Sequence, residues 1–215
     1  MNHPATSPRA DVGASATSSD LVAAARRLFA ARGFDGASVR AITSEANANL
    51  GAVTYHFGSK AALYEAVLEA TLVPFAERVE AAAATPGTAL DRIVEVVKAY
   101  FEHLGEHQDM PRLLLQEIAA GKHPPRVVVD NISRVKGTLE RLCAEGVDDG
   151  TVRQGHPTLT ALSIVSQPVY LSLIAPLIRT IGGIDFADPE TRARTVEHVT
   201  DFVRRGLEPR LEATA

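Results

Sequence analysis

The sequence has no tryptophan, one cysteine and few aromatics, seven Phe and four Tyr among 215 residues. A lone Cys143 excludes an intramolecular disulfide, and no CxxC or Cys/His pair stands at the spacing of a zinc site. A nucleophile elbow, a phosphate-cradling glycine loop and a metalloenzyme signature are missing too, so neither catalysis nor a cofactor is expected. Residues 1–18 lack the continuous apolar core of a signal peptide, and their Ala, Ser, Thr and Pro read as a disordered arm. A reducing cytoplasm is the compartment this pattern fits.

What is present favours helices. Hydrophobic residues make up 46% of the chain, enough for one or two cores, and Ala, Leu, Val, Glu and Arg lose little conformational freedom in a helix. The spacing predicts an all-α protein of about nine helices. The first starts near Ser19 or Asp20 as cap, carries Leu21, Ala25, Leu28 and Phe29 on one face, and ends at Gly33. Ser38 caps a short second helix with Val39, Ile42 and Ala46 on one side. Asn47-Ala48-Asn49 makes a turn, because Asn tolerates the left-handed backbone, and Asn49 caps a third helix over residues 50–56. Ser59 caps a fourth.

Beyond Thr85-Pro86-Gly87, the residues Leu90, Ile93, Val94, Val97, Phe101 and Leu104 trace a core stripe. Pro111 opens a short helix stopped by Gly121, and Pro124-Pro125 opens a long one. Two more are expected over residues 157–181 and 188–207.

Charge is uneven. The net charge is −4, but residues 1–60 hold six bases against four acids and the remainder sixteen against twenty-two. A mildly basic head on an acidic body permits a nucleic-acid partner without requiring one.

Two short helices, a tight turn and a third make helix-turn-helix arithmetic. The run Ser38-Val39-Arg40-Ala41-Ile42, then residues 46–53, then Thr54-Tyr55-His56-Phe57-Gly58-Ser59-Lys60 resembles the tetracycline-repressor (TetR) family, with residues 20–70 matching well. The resemblance implies an arm over residues 1–18, a helix-turn-helix DNA-binding domain over residues 19–66, and an effector-binding and dimerisation domain over residues 67–215. It implies a ligand-responsive regulator, most often a repressor released from a palindromic double-stranded DNA operator by a small-molecule effector.

A helix entering the major groove needs small residues where its backbone nears DNA, and side chains that reach base edges. Gly51 and Ala52 supply the small surface. Asn49 suits an adenine edge, Leu50 or Ala52 a thymine methyl, and Thr54, Tyr55 and His56 offer hydroxyl or imidazole contacts. Ser38, Arg40 and Lys60 stand at or near helix N-termini, where phosphate is attracted. Family members often carry Lys at the position of Leu50, so apolar or shape readout gains weight here.

No charged residue occurs from Gln154 to Ile178, a length sufficient to span a membrane. Its Gln, Ser and Pro content, without basic asymmetry between its flanks, argues instead for a buried helix and no membrane partner. By resemblance, the two C-terminal helices pair with their twins in a homodimer. Candidate effector-pocket residues are Phe75, Tyr100, Met110, Gln116, Gln167 and Tyr170, apolar walls with a few polar handles. His103 and His107 stand four apart, a spacing able to hold a metal, but a solvated helix end is the reading taken and no metal is assigned. The competing function is a helical dimeric interaction protein or small-molecule binder that never meets DNA.

Overall fold

The computed structural model describes residues 17–121, 123–182 and 184–209, and among these it contains nine helices and no strand. The chain forms two compact units divided between Val67 and Leu68. Of the expected arm, residues 1–16 lie outside the described residues.

The first unit holds α1 (Ser18–Gly36), α2 (Val39–Glu45), α3 (Ala52–Phe57) and the start of α4 (Lys60–Ala83). The cap of α1 is Thr17 rather than Ser19 or Asp20: the Thr17 hydroxyl accepts from the Asp20 N–H, and the Asp20 carboxylate accepts from the Thr17 N–H. This reciprocal box satisfies two amide donors that would otherwise face solvent alone. Gly33 interrupts α1 at φ 71°, a conformation costly for residues with a Cβ, and a last turn continues to Gly36.

An aromatic cluster anchors this unit. Phe29 is fully buried, with Tyr64 edge-on at 4.8 Å and Phe34 at 5.9 Å between ring centroids. Leu21, Ala25, Leu28, Ile42, Val53 and Leu63 fill the core around them, as the helical spacing predicts. An Arg27–Glu45 ion pair at 2.6 Å ties α1 to α2.

The second unit contains the rest of α4 with α5 (Ala89–Glu106), α6 (Met110–Ala119), α7 (Arg126–Asp148), α8 (Pro157–Gly182) and α9 (Pro189–Leu207). Helix α5 packs against α7, α8 and α9, and its expected stripe from Leu90 to Leu104 is buried throughout. Leu139 and Leu142 of α7, Ile164 of α8, and Val199 and Val203 of α9 complete the core. Ion pairs join the elements around it: Arg92–Glu145 at 2.6 Å, Arg204–Asp91 at 2.7 Å and Arg134–Glu80 at 2.8 Å.

Helix α8 corrects one expectation. It is long and apolar enough to cross a membrane, yet it is not a helix buried by its own chain: Leu159, Leu162, Tyr170, Leu177 and Ile181 are all exposed. Only Ala161, Ile164 and Pro168 are fully covered along it.

Candidate nucleic-acid interface

The candidate interface is built by three short stretches of backbone. Ser38 caps α2, its Oγ accepting from the Ala41 N–H at 3.1 Å. After α2 the chain turns at Asn47, the one non-glycine with positive φ among the described residues, at 52°. Asn reaches this left-handed geometry more readily than other side chains do, which is why the turn falls here. The Ala48 N–H donates back to the Thr43 carbonyl at 2.8 Å and closes it.

Helix α3 starts two residues later than its sequence suggests. Gly51 is its cap and no side chain completes it; Asn49 contributes only its backbone carbonyl, which accepts from the Ala52 N–H at 3.1 Å. The Asn49 side chain is therefore not the cap, and the residue is exposed. Gly58, at φ 79°, reverses the chain after α3, and the Ser59 Oγ accepts from the Ala62 N–H at 3.0 Å to cap α4.

Two sides of α3 now separate. Ala52 and Val53 face inward and are buried, so Ala52 is corrected from a base-contacting candidate to a packing residue. Leu50, Gly51, Thr54, Tyr55 and His56 face outward and are exposed. Tyr55 is 85% exposed and Leu50 62%, while the Tyr55 and His56 rings meet edge-on at 4.9 Å. Hydroxyl, imidazole, a bare backbone and an apolar tip thus share one surface, the repertoire that base edges and thymine methyls require. Phe57 is half-buried beneath it.

The flanks are cationic. Ser38 and Arg40 lie exposed at the start of α2. Lys60, the first residue of α4, holds its ammonium 4.4 Å from the centroid of the Phe34 ring, an arrangement worth roughly 0.5–1 kcal/mol at an exposed site. That contact fixes the stem of a charge placed at the N-terminal end of a helix, where anions are favoured.

The effector candidates divide differently. Phe75 and Tyr100 are buried edge to face, centroids 4.7 Å apart, and burial pushes the Tyr100 hydroxyl pKa up. Met110 is buried, and Gln116 and Gln167 are half-buried. Tyr170 is exposed on α8, and this removes it from an enclosed pocket formed by this chain alone. A groove of about 660 Å³ between α5 and α9, lined by Val94, Lys98, Arg194 and His198 among others, includes none of the six.

His103 was assigned to a solvated helix end and is instead 1% exposed. Its ring stands 5.0 Å from Phe75 and 4.4 Å from His107. Burial pulls the His103 pKa down to about 4, with His107 and Arg78 adding to the effect and Glu106 and the Thr71 backbone opposing it. The signal was present in the sequence: Ala89, Ile93, Val96, Tyr100 and His103 form a second helical stripe, which the polarity of His masked.

A short helix with an outward polar face, held by a capped helix-turn-helix and flanked by bases, defines a DNA-binding head on a helical body. Residues 21–67 match the tetR family of bacterial regulatory proteins, and residues 86–203 match the tetracyclin repressor-like C-terminal domain. The chain belongs to this family of ligand-responsive transcriptional regulators. It is similar to the HTH-type transcriptional repressor NicS of Pseudomonas putida, 25% identical over 200 residues that cover 89% of this chain and 92% of that one. The fold is shared with the ketosteroid transcriptional regulator KstR2 of Mycobacterium tuberculosis (TM-score 0.75, 18% identity, 91% of this chain and 99% of that one). It is also shared with the TetR family regulator PfmR of Thermus thermophilus (TM-score 0.69, 19% identity, 88% and 99%).

Proposed function

We propose that this protein is a cytoplasmic repressor that occupies a palindromic operator as a homodimer and leaves it when a small-molecule effector binds the second unit. The outward face of α3 carries this reading: a tyrosine and a leucine stand in solvent beside Thr54 and His56, while Ala52 and Val53 turn into the core. In this account Gly51 allows close approach, and Leu50, Thr54, Tyr55 and His56 read base edges, with Asn49 at the entry of the helix. Ser38, Arg40 and Lys60 hold phosphates and set the register.

Dimerisation through α8 and α9 is supported by the exposed, uncharged Leu159, Leu162, Leu177 and Ile181 and by Phe202, 60% exposed on α9. A twofold twin offers the same face, so each surface covers the other. Joining two heads raises the effective concentration of the second and fixes half-site spacing, which compensates for few cations per head.

For the effector, Phe75, Tyr100 and Met110 supply apolar walls, and Gln116 and Gln167 supply polar handles. Helix α4 runs from Lys60 to Ala83, so its C-terminal half bears Phe75 while its first residue is a phosphate contact. A ligand that favours one position of Phe75 therefore biases Lys60 through a single helix, and release follows from differential affinity for the two states.

The test is fluorescence anisotropy on duplexes from upstream of the chain's own gene. Saturable binding that weakens as salt rises is expected, and Tyr55→Ala combined with Lys60→Ala should cost about a hundredfold in affinity. Absence of binding by the wild-type chain at low salt would leave a helical interaction protein or small-molecule binder.

A further inference from the structure

His103 and Glu106 lie in the last turn of α5, and His107 caps its C-terminal end with its backbone N–H donating to the His103 carbonyl, so the three side chains gather at one end of the helix. One ligand atom from each can be chosen so that all lie within 4.8 Å of one another. His103 is enclosed, and neither of its ring nitrogens makes a hydrogen bond of regular geometry, although the Thr71 backbone lies near enough to favour the ring's protonated form. The Phe75 and His107 rings pack against it. A buried imidazole with at most one weak backbone partner keeps a nitrogen lone pair free to take a ligand.

We infer that His103, Glu106 and His107 form a site for a divalent transition metal of the zinc class, with water or a donor atom of a bound small molecule in the fourth position. Two imidazole nitrogens and a carboxylate oxygen are the donor set of an open zinc site. Arg78 Nη2 holds Glu106 Oε2 at 2.8 Å, which orients the carboxylate and leaves Oε1 for the ion. The Arg78 charge opposes a cation, while the carbonyl end of α5 carries about half a negative charge and favours one.

Tetrahedral ligation with bonds near 2.0–2.1 Å needs ligand atoms about 3.4 Å apart, so the trio closes by at most roughly 1.4 Å. Glu106 is exposed and His107 half-buried, and rotation of these two side chains toward a fixed His103 supplies that movement.

The proposal is independent of operator binding, because its test contains no DNA. Untagged full-length chain, stripped with chelator, is titrated with Zn²⁺ by calorimetry and with Co²⁺ by visible absorption, whose intensity reports low-coordinate ligation. The expected result is one saturable equivalent per chain, weakened at least about a hundredfold by His107→Ala and at least about tenfold by Glu106→Gln. Both substitutions spare the buried imidazole, and unchanged far-UV circular dichroism verifies their folding. No saturable equivalent in the wild-type chain, or wild-type affinity in either folded variant, overturns the site.

Discussion

Helices α3 and α8 both put large side chains into solvent, and the difference between what they expose separates two kinds of partner. The face of α3 mixes Leu50 and Tyr55 with Thr54 and His56 and has Arg40 and Lys60 at its margins. The large side chains exposed on α8 are leucine, isoleucine and one tyrosine, with no charge from Gln154 to Ile178. Hydrogen-bonding groups beside cations suit a polyanion whose edges carry donors and acceptors. An apolar strip of this kind suits another apolar surface, which the proposed homodimer would supply from a second copy of the chain. Exposure alone therefore says little; its chemical composition distinguishes groove-reading from self-association.

The largest effect that can sharpen this contrast lies just beneath the first face. Phe29→Ala empties the centre of the aromatic cluster and should lower stability by about 3–5 kcal/mol in chemical unfolding, whereas Tyr55→Ala, made on the surface, should change it by less than about 0.5 kcal/mol. A comparable loss from both would mean that Tyr55 is a packing residue and that α3 has no free face.

Next in size is a charge set into the second face. Leu177→Glu should leave helix content intact and raise the dimer dissociation constant by about a hundredfold in sedimentation equilibrium, since an unpaired carboxylate resists burial. An unchanged association state would place the self-association surface elsewhere.

The smallest effect concerns a residue on neither face and serves as the control. The Arg204 hydrogen bond, aided by Thr88, holds the Asp91 carboxyl down at about 2. Its folded pKa lies below the value near 4 of an unfolded aspartate, so its stabilisation is complete above about pH 4 and is lost as pH falls through about 2. Asp91→Asn should abolish this acid-limb contribution in urea unfolding followed against pH, modestly, because the pair is partly solvent-screened. DNA affinity near neutral pH should not respond.

These contrasts also show what the residues disclosed before any coordinates. Ser38, Ser59, Pro111 and the α5 stripe announced themselves, because each acts through local backbone geometry or helical period. The start of α1 was harder: Thr17, Ser18, Ser19 and Asp20 are all competent caps, and only the reciprocal bonds of Thr17 with Asp20 decide among them. At α3, Asn49 looks like the cap, but the helix begins two residues later than that implies, at Ala52 with Gly51 as its cap. Ala52 was misassigned because a small side chain is equally at home in a core and against a groove.

Helix α8 was legible as a helix and illegible in its burial. Apolar composition says that a helix is prone to be covered but not by what, and here the chain itself leaves most of α8 uncovered. His103 erred in the opposite direction, since a titratable side chain reads as solvated until its helix is found packed on nearly every side.

The central claim, that the outward face of α3 fits a duplex groove, is tested most directly by selecting ligands for the effector-free full-length chain from a randomised duplex pool at low salt. The account predicts enrichment of an inverted repeat whose half-sites are separated by whole helical turns, with Tyr55→Ala altering the bases enriched within each half-site. A pool that stays random, or the same repeat recovered unchanged with the Tyr55→Ala chain, would contradict it.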